Sequence, residues 1–151
     1  MGCAVYDQTV LQGAHFPSEH PAYLGPLSRD QKTVRDRLEP YDTLISLGSD
    51  FLRMSVYSEV EPLPPHMSVI QIGLNDWEMG KTYPAEIAVR ADVNETLHVL
   101  TPLVAELGGA TQRQRAADGL AALSGRNWAA NRKARADAAF AKPAMRPIDP
   151  E

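Results

Sequence analysis

The sequence predicts an α/β domain with a mostly parallel sheet, followed by a helical connector. Three observations carry that expectation. Short apolar runs stopped by Gly or Asp alternate with helical patterns, as in a parallel sheet covered by helices. Val93, Leu97, Leu100, Val104 and Leu107 recur at helical spacing, which places one apolar stripe along a helix. The composition also breaks near Gly108-Gly109. Residues 1–108 hold 7 Lys/Arg against 15 Asp/Glu, a balance of −8, whereas residues 109–151 hold 8 against 4, a balance of +4. The second segment carries 13 alanines between Ala110 and Ala144, so the break reads as a domain boundary: 1–108, then 109–151.

The elements follow in order. Gly2–Tyr6 is a short apolar strand, and a loop then runs to about Leu27 through Gly13, Pro17, Pro21, Gly25 and Pro26. A stretch that long without regular structure marks a functional or interface segment. Ser28 with Gln31 forms a capping-box pattern behind Leu27, opening a helix that presents Val34 and Leu38 and ends at Pro40. Asp42–Gly48, Ser68–Leu74 and Glu86–Arg90 are candidate strands, and Glu61–Pro65 is a proline-rich turn. Asp92 with Glu95 caps the next helix, kinked by Pro102 and stopped by Gly108-Gly109. Thr111 with Gln114 starts a long helix carrying Leu120, Leu123 and Trp128, weakened at Gly119 and Gly125. Pro143, Pro147 and Pro150 make the end a linker.

Composition excludes several functional classes. A chain of 151 residues with 44% hydrophobic and 23% charged content supports one core. No apolar run nears the roughly 18 residues of a membrane span, and a net charge of −4 leaves no footprint for nucleic acid. The chain opens without a charged-then-apolar leader, and its single Cys3 closes no internal disulfide; both predict a cytoplasmic protein. Met1-Gly2-Cys3 resembles an acylation start, but Tyr6 stands where that signal needs Ser or Thr.

Candidate chemistry is sparse. His15, His20, His66 and His98 pair with no second ligand type at zinc spacing, so no metal site is expected. Phosphate-cradling glycine motifs and nucleophile elbows are absent. Ligands of parallel α/β sheets bind past the strand carboxyl ends, here near Gly48 and Leu74. Gly48, Ser49 and Asp50 are therefore candidate cofactor-binding residues, presenting backbone N–H groups to an anion; the same residues also read as a strand-ending turn with Asp50 exposed. His20, in Phe16-Pro17-Ser18-Glu19-His20-Pro21, reads either as a proline-stiffened acid–base group or as an ordinary loop histidine. Asp76-Trp77-Glu78 and Lys81-Thr82-Tyr83-Pro84 read as a capped turn and a tyrosine packed under the sheet edge.

Phe16-Pro17 through His20-Pro21 to Gly25, Tyr41 to Phe51, Ile70-Gln71-Ile72, Gly80 to Ala85 and Ala91-Asp92-Val93 form an ordered set. That set resembles the central domain of thiamine diphosphate-dependent 2-oxo-acid enzymes, the family of acetolactate synthase and benzoylformate decarboxylase, over roughly residues 2–108. The resemblance implies a Rossmann-like three-layer domain between two thiamine-handling domains. Those domains would supply the cofactor-activating glutamate and the segment holding Mg²⁺ and diphosphate, in a homodimer or homotetramer. On this reading the chain is a fragment truncated at both ends, residues 109–151 lead to an absent diphosphate-binding domain, and the chain alone is inactive and marginally stable or self-associating.

The resemblance also carries His20 over as the active-site histidine of benzoylformate decarboxylase-like enzymes, which helps proton transfer during decarboxylation. Flavin-binding members place Gly-Met-His-Gly where this chain has Pro26-Leu27-Ser28-Arg29, and acidic residues where it has Gly73 and Asn75. These departures speak against FAD or ADP. Three functions are thereby set out: a decarboxylase or carboligase fragment, a nucleotide-binding module, and a structural domain positioning its neighbours.

Overall fold

The structure is a computed structural model that describes residues 1–8, 13 and 15–141. It divides into two compact units, one of residues 7–12 and 26–109, the other of residues 1–6, 13–25 and 110–151.

The first unit is built on a parallel three-stranded sheet of β3 (Thr43–Leu47), β4 (Ser68–Gly73) and β5 (Ile87–Arg90), in the order β3-β4-β5. Ile45, Ile70 and Ile87 are in register, as are Leu47, Ile72 and Val89. These six residues share one face, while Leu44, Ser46, Val69 and Gln71 share the other. The second face is the buried one. There α1 (Gln31–Leu38) sets Val34 and Leu38 against Leu52 and Met67, with Leu44, Phe51, Met54 and Tyr83 around them. On the first face Ile45, Leu47, Ile87 and Val89 stay between 37% and 48% exposed, so the sheet is dry on one side only.

Asp30, not Ser28, caps α1. Its carboxylate accepts the Thr33 backbone N–H at 2.7 Å, while Ser28 Oγ accepts the Asp30 N–H at 3.1 Å. Both residue types suit an N-cap, and the one immediately before the helix wins because only its side chain reaches the first-turn donors. The hydrogen bonds from Thr33 hold the Asp30 carboxyl below its ordinary value of 3.8, aided by Lys32 and opposed by burial. A group depressed in the folded state stabilises above its unfolded value, and that contribution is lost as pH falls through the folded value. Asp30→Asn, which keeps a capping oxygen, is expected to flatten the loss of stability below about pH 4 with little change at neutrality. Urea midpoints across that range check it.

The segment after β3 is tied to α1 by Ser58 N–H to Gln31 Oε1 (2.6 Å), Lys32 N–H to Ser58 Oγ (2.9 Å) and Arg35 to the Glu61 carbonyl (3.1 Å). Asp92 caps α2 (Val93–Leu123) through the Glu95 N–H, as the sequence indicated. Pro102 sits within helical backbone, and the departure from helical dihedrals comes at Gly109 (φ 53°, ψ −168°). The break thus falls at the Gly108-Gly109 stop that the sequence predicts, where a left-handed φ costs no Cβ clash. Before that break the helix is apolar around much of its girth, with Val99 and Leu103 exposed beside the Leu97, Leu100 and Val104 stripe.

The second unit is built around β1 (Val5–Asp7) and β2 (Tyr23–Pro26), which pair with each other. β1 begins later than the expected Gly2–Tyr6. Gly2 takes φ 67° and lies so close to Ala116 that a Cβ would meet its backbone; Gly119 meets Gly2 in the same way. These small residues let the N-terminus cross the helix backbone directly. The expected single helix from Thr111 through Trp128 is two. α2 ends at Leu123, and α3 (Trp128–Ala141) starts afresh because Asn127 Oδ1 accepts the Ala130 N–H at 2.8 Å. Part of the loop before Leu27 (residues 9–12 and 14) and the linker prolines Pro143, Pro147 and Pro150 lie outside the described residues.

Candidate functional site

The carboxyl ends of β3 and β4 meet at glycines. Gly48 takes φ 65°, and its N–H donates to the Ile72 carbonyl at 2.8 Å, so that N–H is spent within the sheet. A Cβ on Gly73 would lie 3.4 Å from Gly48 Cα, so the two turns touch. Ser49 and Ser46 share a hydrogen bond between their hydroxyls at 2.8 Å.

Beyond this edge lies a cavity of about 380 Å³ lined by Gln31, Asp50, Arg53, Gln71, Lys81 and Tyr83, among others. Its size falls in the range of small-ligand sites. Its floor is the strained turn at Leu52, a non-glycine residue at φ 47° held there because its buried side chain fills the core. Gln71, buried on β4, accepts the Gly80 N–H at 2.7 Å and fixes the far wall. Tyr83 packs edge-on against Phe51 with ring centroids 5.7 Å apart. Burial, and then the nearby Glu61 charge, raise its phenol above the ordinary 10.0.

Both cations of the cavity are engaged. Arg53 pairs with Asp50 at 3.0 Å and Lys81 with Glu78 at 3.0 Å, and Lys81 also sits 5.4 Å from the centre of the Trp77 ring. These are solvated pairs, each worth little for stability, but they leave the wall close to neutral. Of the three residues indicated at the strand end, Asp50 lines the cavity, while Gly48 and Ser49 form the turn leading to it. The sequence does not mark Lys81, Gln71 and Gln31 for binding. Their only signal was position: past a strand end, in a strand, and at a helix start.

His20 belongs to the second unit. It lies in a tight loop where its N–H donates to the Pro17 carbonyl (3.0 Å) and its carbonyl accepts from Tyr23 N–H (2.9 Å). Its Nδ1 accepts the Ala22 N–H at 3.1 Å. Nδ1 is therefore the acceptor nitrogen, and the neutral ring carries its proton on Nε2. The ring packs edge-on against Phe16, centroids 5.1 Å apart, and the residue is exposed, so Nε2 is open to a reacting partner.

A half-covered parallel sheet with helices, glycine turns at its carboxyl edge and a cavity beyond them define a Rossmann-like α/β domain. Residues 2–100 match the family model described as thiamine pyrophosphate enzyme, central domain, and the chain belongs to that family. It is 30% identical over 111 residues to acetolactate synthase isozyme 1 large subunit of Escherichia coli strain K12, covering 73% of this chain and 20% of that protein. It is 28% identical over 109 residues to sulfoacetaldehyde acetyltransferase of Rhodobacter capsulatus, covering 68% of this chain and 18% of that one. A crystal structure described as that of a thiamin diphosphate-dependent enzyme from Mycobacterium smegmatis matches with a TM-score of 0.61 and 27% identity, over 68% of this chain and 20% of the other. The chain thus spans about a fifth of the length of the relatives it matches.

The family's cofactor does not fit the residues described here. Among them no three His, Cys, Asp or Glu side chains are grouped to hold a metal ion. The cavity's two cations are already paired with Asp50 and Glu78, so it offers no unpaired cation to a diphosphate.

Proposed function

We propose that this chain is the central part of a thiamine diphosphate-dependent decarboxylase or carboligase acting on a 2-oxo acid, and that its main task is to position neighbouring domains. The match over residues 2–100 to a central-domain family carries the reading, together with a chain one-fifth the length of its relatives. Thiamine diphosphate and Mg²⁺ are then held by flanking domains, in a dimeric or tetrameric cytoplasmic enzyme. Residues 109–151 act as the connector toward the diphosphate-binding domain.

Within that enzyme His20 reaches an active site and exchanges a proton at Nε2, the nitrogen its own loop leaves free. In the enzyme carrying this chain, His20→Ala is expected to lower kcat at least about tenfold. A fall of less than about threefold removes His20 from catalysis and leaves the family assignment intact. Flanking sequence lacking both a cofactor-activating glutamate and a Gly-Asp-Gly…Asn segment would overturn the enzyme reading itself.

One observation favours a second reading, the cavity past Gly48, Ser49 and Asp50. Its position at the carboxyl edge of a parallel sheet suits a nucleotide such as FAD or ADP, as in acetolactate synthase-like or oxalyl-CoA decarboxylase-like enzymes, whose diphosphate would have to draw Arg53 or Lys81 out of its pair with Asp50 or Glu78. Calorimetric titration with FAD, ADP and NAD decides it, and no heat from any of the three rejects it.

A further inference from the structure

His20 sits at one end of a continuous aromatic stack. Its ring meets Phe16 edge-on; Phe16 lies against Tyr23 with centroids 6.1 Å apart; Tyr23 meets Trp128 edge-on at 6.2 Å. Trp128 is the first residue of α3 and is fixed from both sides. Behind it the buried Asn127 caps the helix. In front, its six-membered ring occupies the space where Gly25 has no side chain. Glu19, next to His20, also pairs with Arg132 of α3 at 2.5 Å. The loop's own bonds set which nitrogen of His20 accepts, but they are short-range, and the histidine is exposed. Besides the pairing with β1, in which the Ala22 carbonyl accepts the Val5 N–H at 2.9 Å, the loop is tied to a distant part of the chain by α3, through Trp128 and Arg132.

We propose that Trp128 and Arg132 are positioning residues for His20: α3 clamps the Phe16–Tyr23 loop and so holds the imidazole with Nδ1 on Ala22 and Nε2 outward. The proposal deepens the functional reading above, because it assigns the helical segment a part in delivering that histidine's proton. The two pins differ in weight. Trp128 fills space beside a buried tyrosine and a glycine that admits no larger side chain, whereas Arg132–Glu19 is a solvated ion pair. Trp128 should therefore dominate.

The test follows the Ala22 amide and the His20 ring protons by NMR in the full 151-residue chain. Trp128→Ala is expected to speed Ala22 amide exchange at least about tenfold and to move the His20 ring-proton shifts toward those of free histidine. Trp128→Phe should restore most of both effects. Arg132→Gln, an exposed change that leaves the fold in place, should speed Ala22 exchange about threefold. Amides of β4, which belong to the other unit, report whether the rest of the chain stays folded. Unchanged Ala22 exchange and His20 shifts in Trp128→Ala, or an Arg132→Gln chain identical to the parent, would overturn the clamp.

Turnover in the enzyme carrying this chain separates the clamp from the functional reading. If both hold, Trp128→Ala lowers kcat in the parent and adds nothing in a His20→Ala background. If Trp128→Ala lowers kcat equally in both backgrounds, it does not act through His20 and the proposal fails. If His20→Ala leaves kcat unchanged, the catalytic role of His20 fails, while the NMR comparison still decides the clamp.

Discussion

Gly25→Ala is expected to cost about 3 kcal/mol, among the largest losses for a change this small. Gly25 takes φ 96°, where an L residue is strained, and the added Cβ would lie 2.5 Å from Trp128 Cε3 and 3.0 Å from Cζ3. Neither problem relieves the other. The Trp128 ring is backed by its helix and by Tyr23, and moving the Gly25 backbone would disturb the pairing of β2. Urea unfolding read by Trp128 fluorescence in a Trp77→Phe background measures the loss, since Trp77 is 75% exposed and dispensable as a reporter. An unchanged midpoint with native-like emission would show that the ring yields freely.

Leu38→Ala is expected to lose about 3 kcal/mol in the other unit. Leu38 is 2% exposed and meets Val34, Leu52 and Met67 beneath the sheet, and part of this core is pinned by strained backbone at Leu52. That arrangement cannot collapse easily into the space left behind, so the cavity term persists beside the lost transfer energy. Leu38→Met, which keeps the volume, should cost less than about 1.5 kcal/mol. Denaturant midpoints for the pair decide it: equal losses would mean that shape, not the void, sets the energy.

Much of this architecture is readable in the sequence, and the misses have physical causes. β3, β4 and β5 announce themselves because strands in a parallel sheet are short apolar runs stopped by glycine or charge, as Gly48 and Gly73 do here. The Asp92 cap and the break at Gly109 are local signals, decided within a few residues. The α1 cap is local too, yet two suitable residues stand close together and only geometry selects Asp30. The division of the last helix at Asn127 is harder. Gly125 marks a weakness, but the cap counts only because Trp128 has a glycine and a tyrosine from far earlier in the chain to rest on. The cavity is harder still, since Gln31, Gln71 and Lys81 come from three separated segments and carry no shared motif. His20 is conspicuous in the sequence through its two flanking prolines, whereas the nitrogen it leaves free depends on one backbone N–H two residues on.

The paired cations of the cavity carry a kinetic consequence. Arg53 and Lys81 each sit beside an acid a few residues away in sequence, and two opposite charges 3.0 Å apart act at range as a dipole whose field fades faster than that of a lone cation. The chain as a whole carries −4. An anion diffusing toward this edge meets repulsion first and attraction only after an ion pair has opened. Added salt would hasten its arrival, the reverse of a cation-lined funnel, and residence time rather than capture would set its affinity.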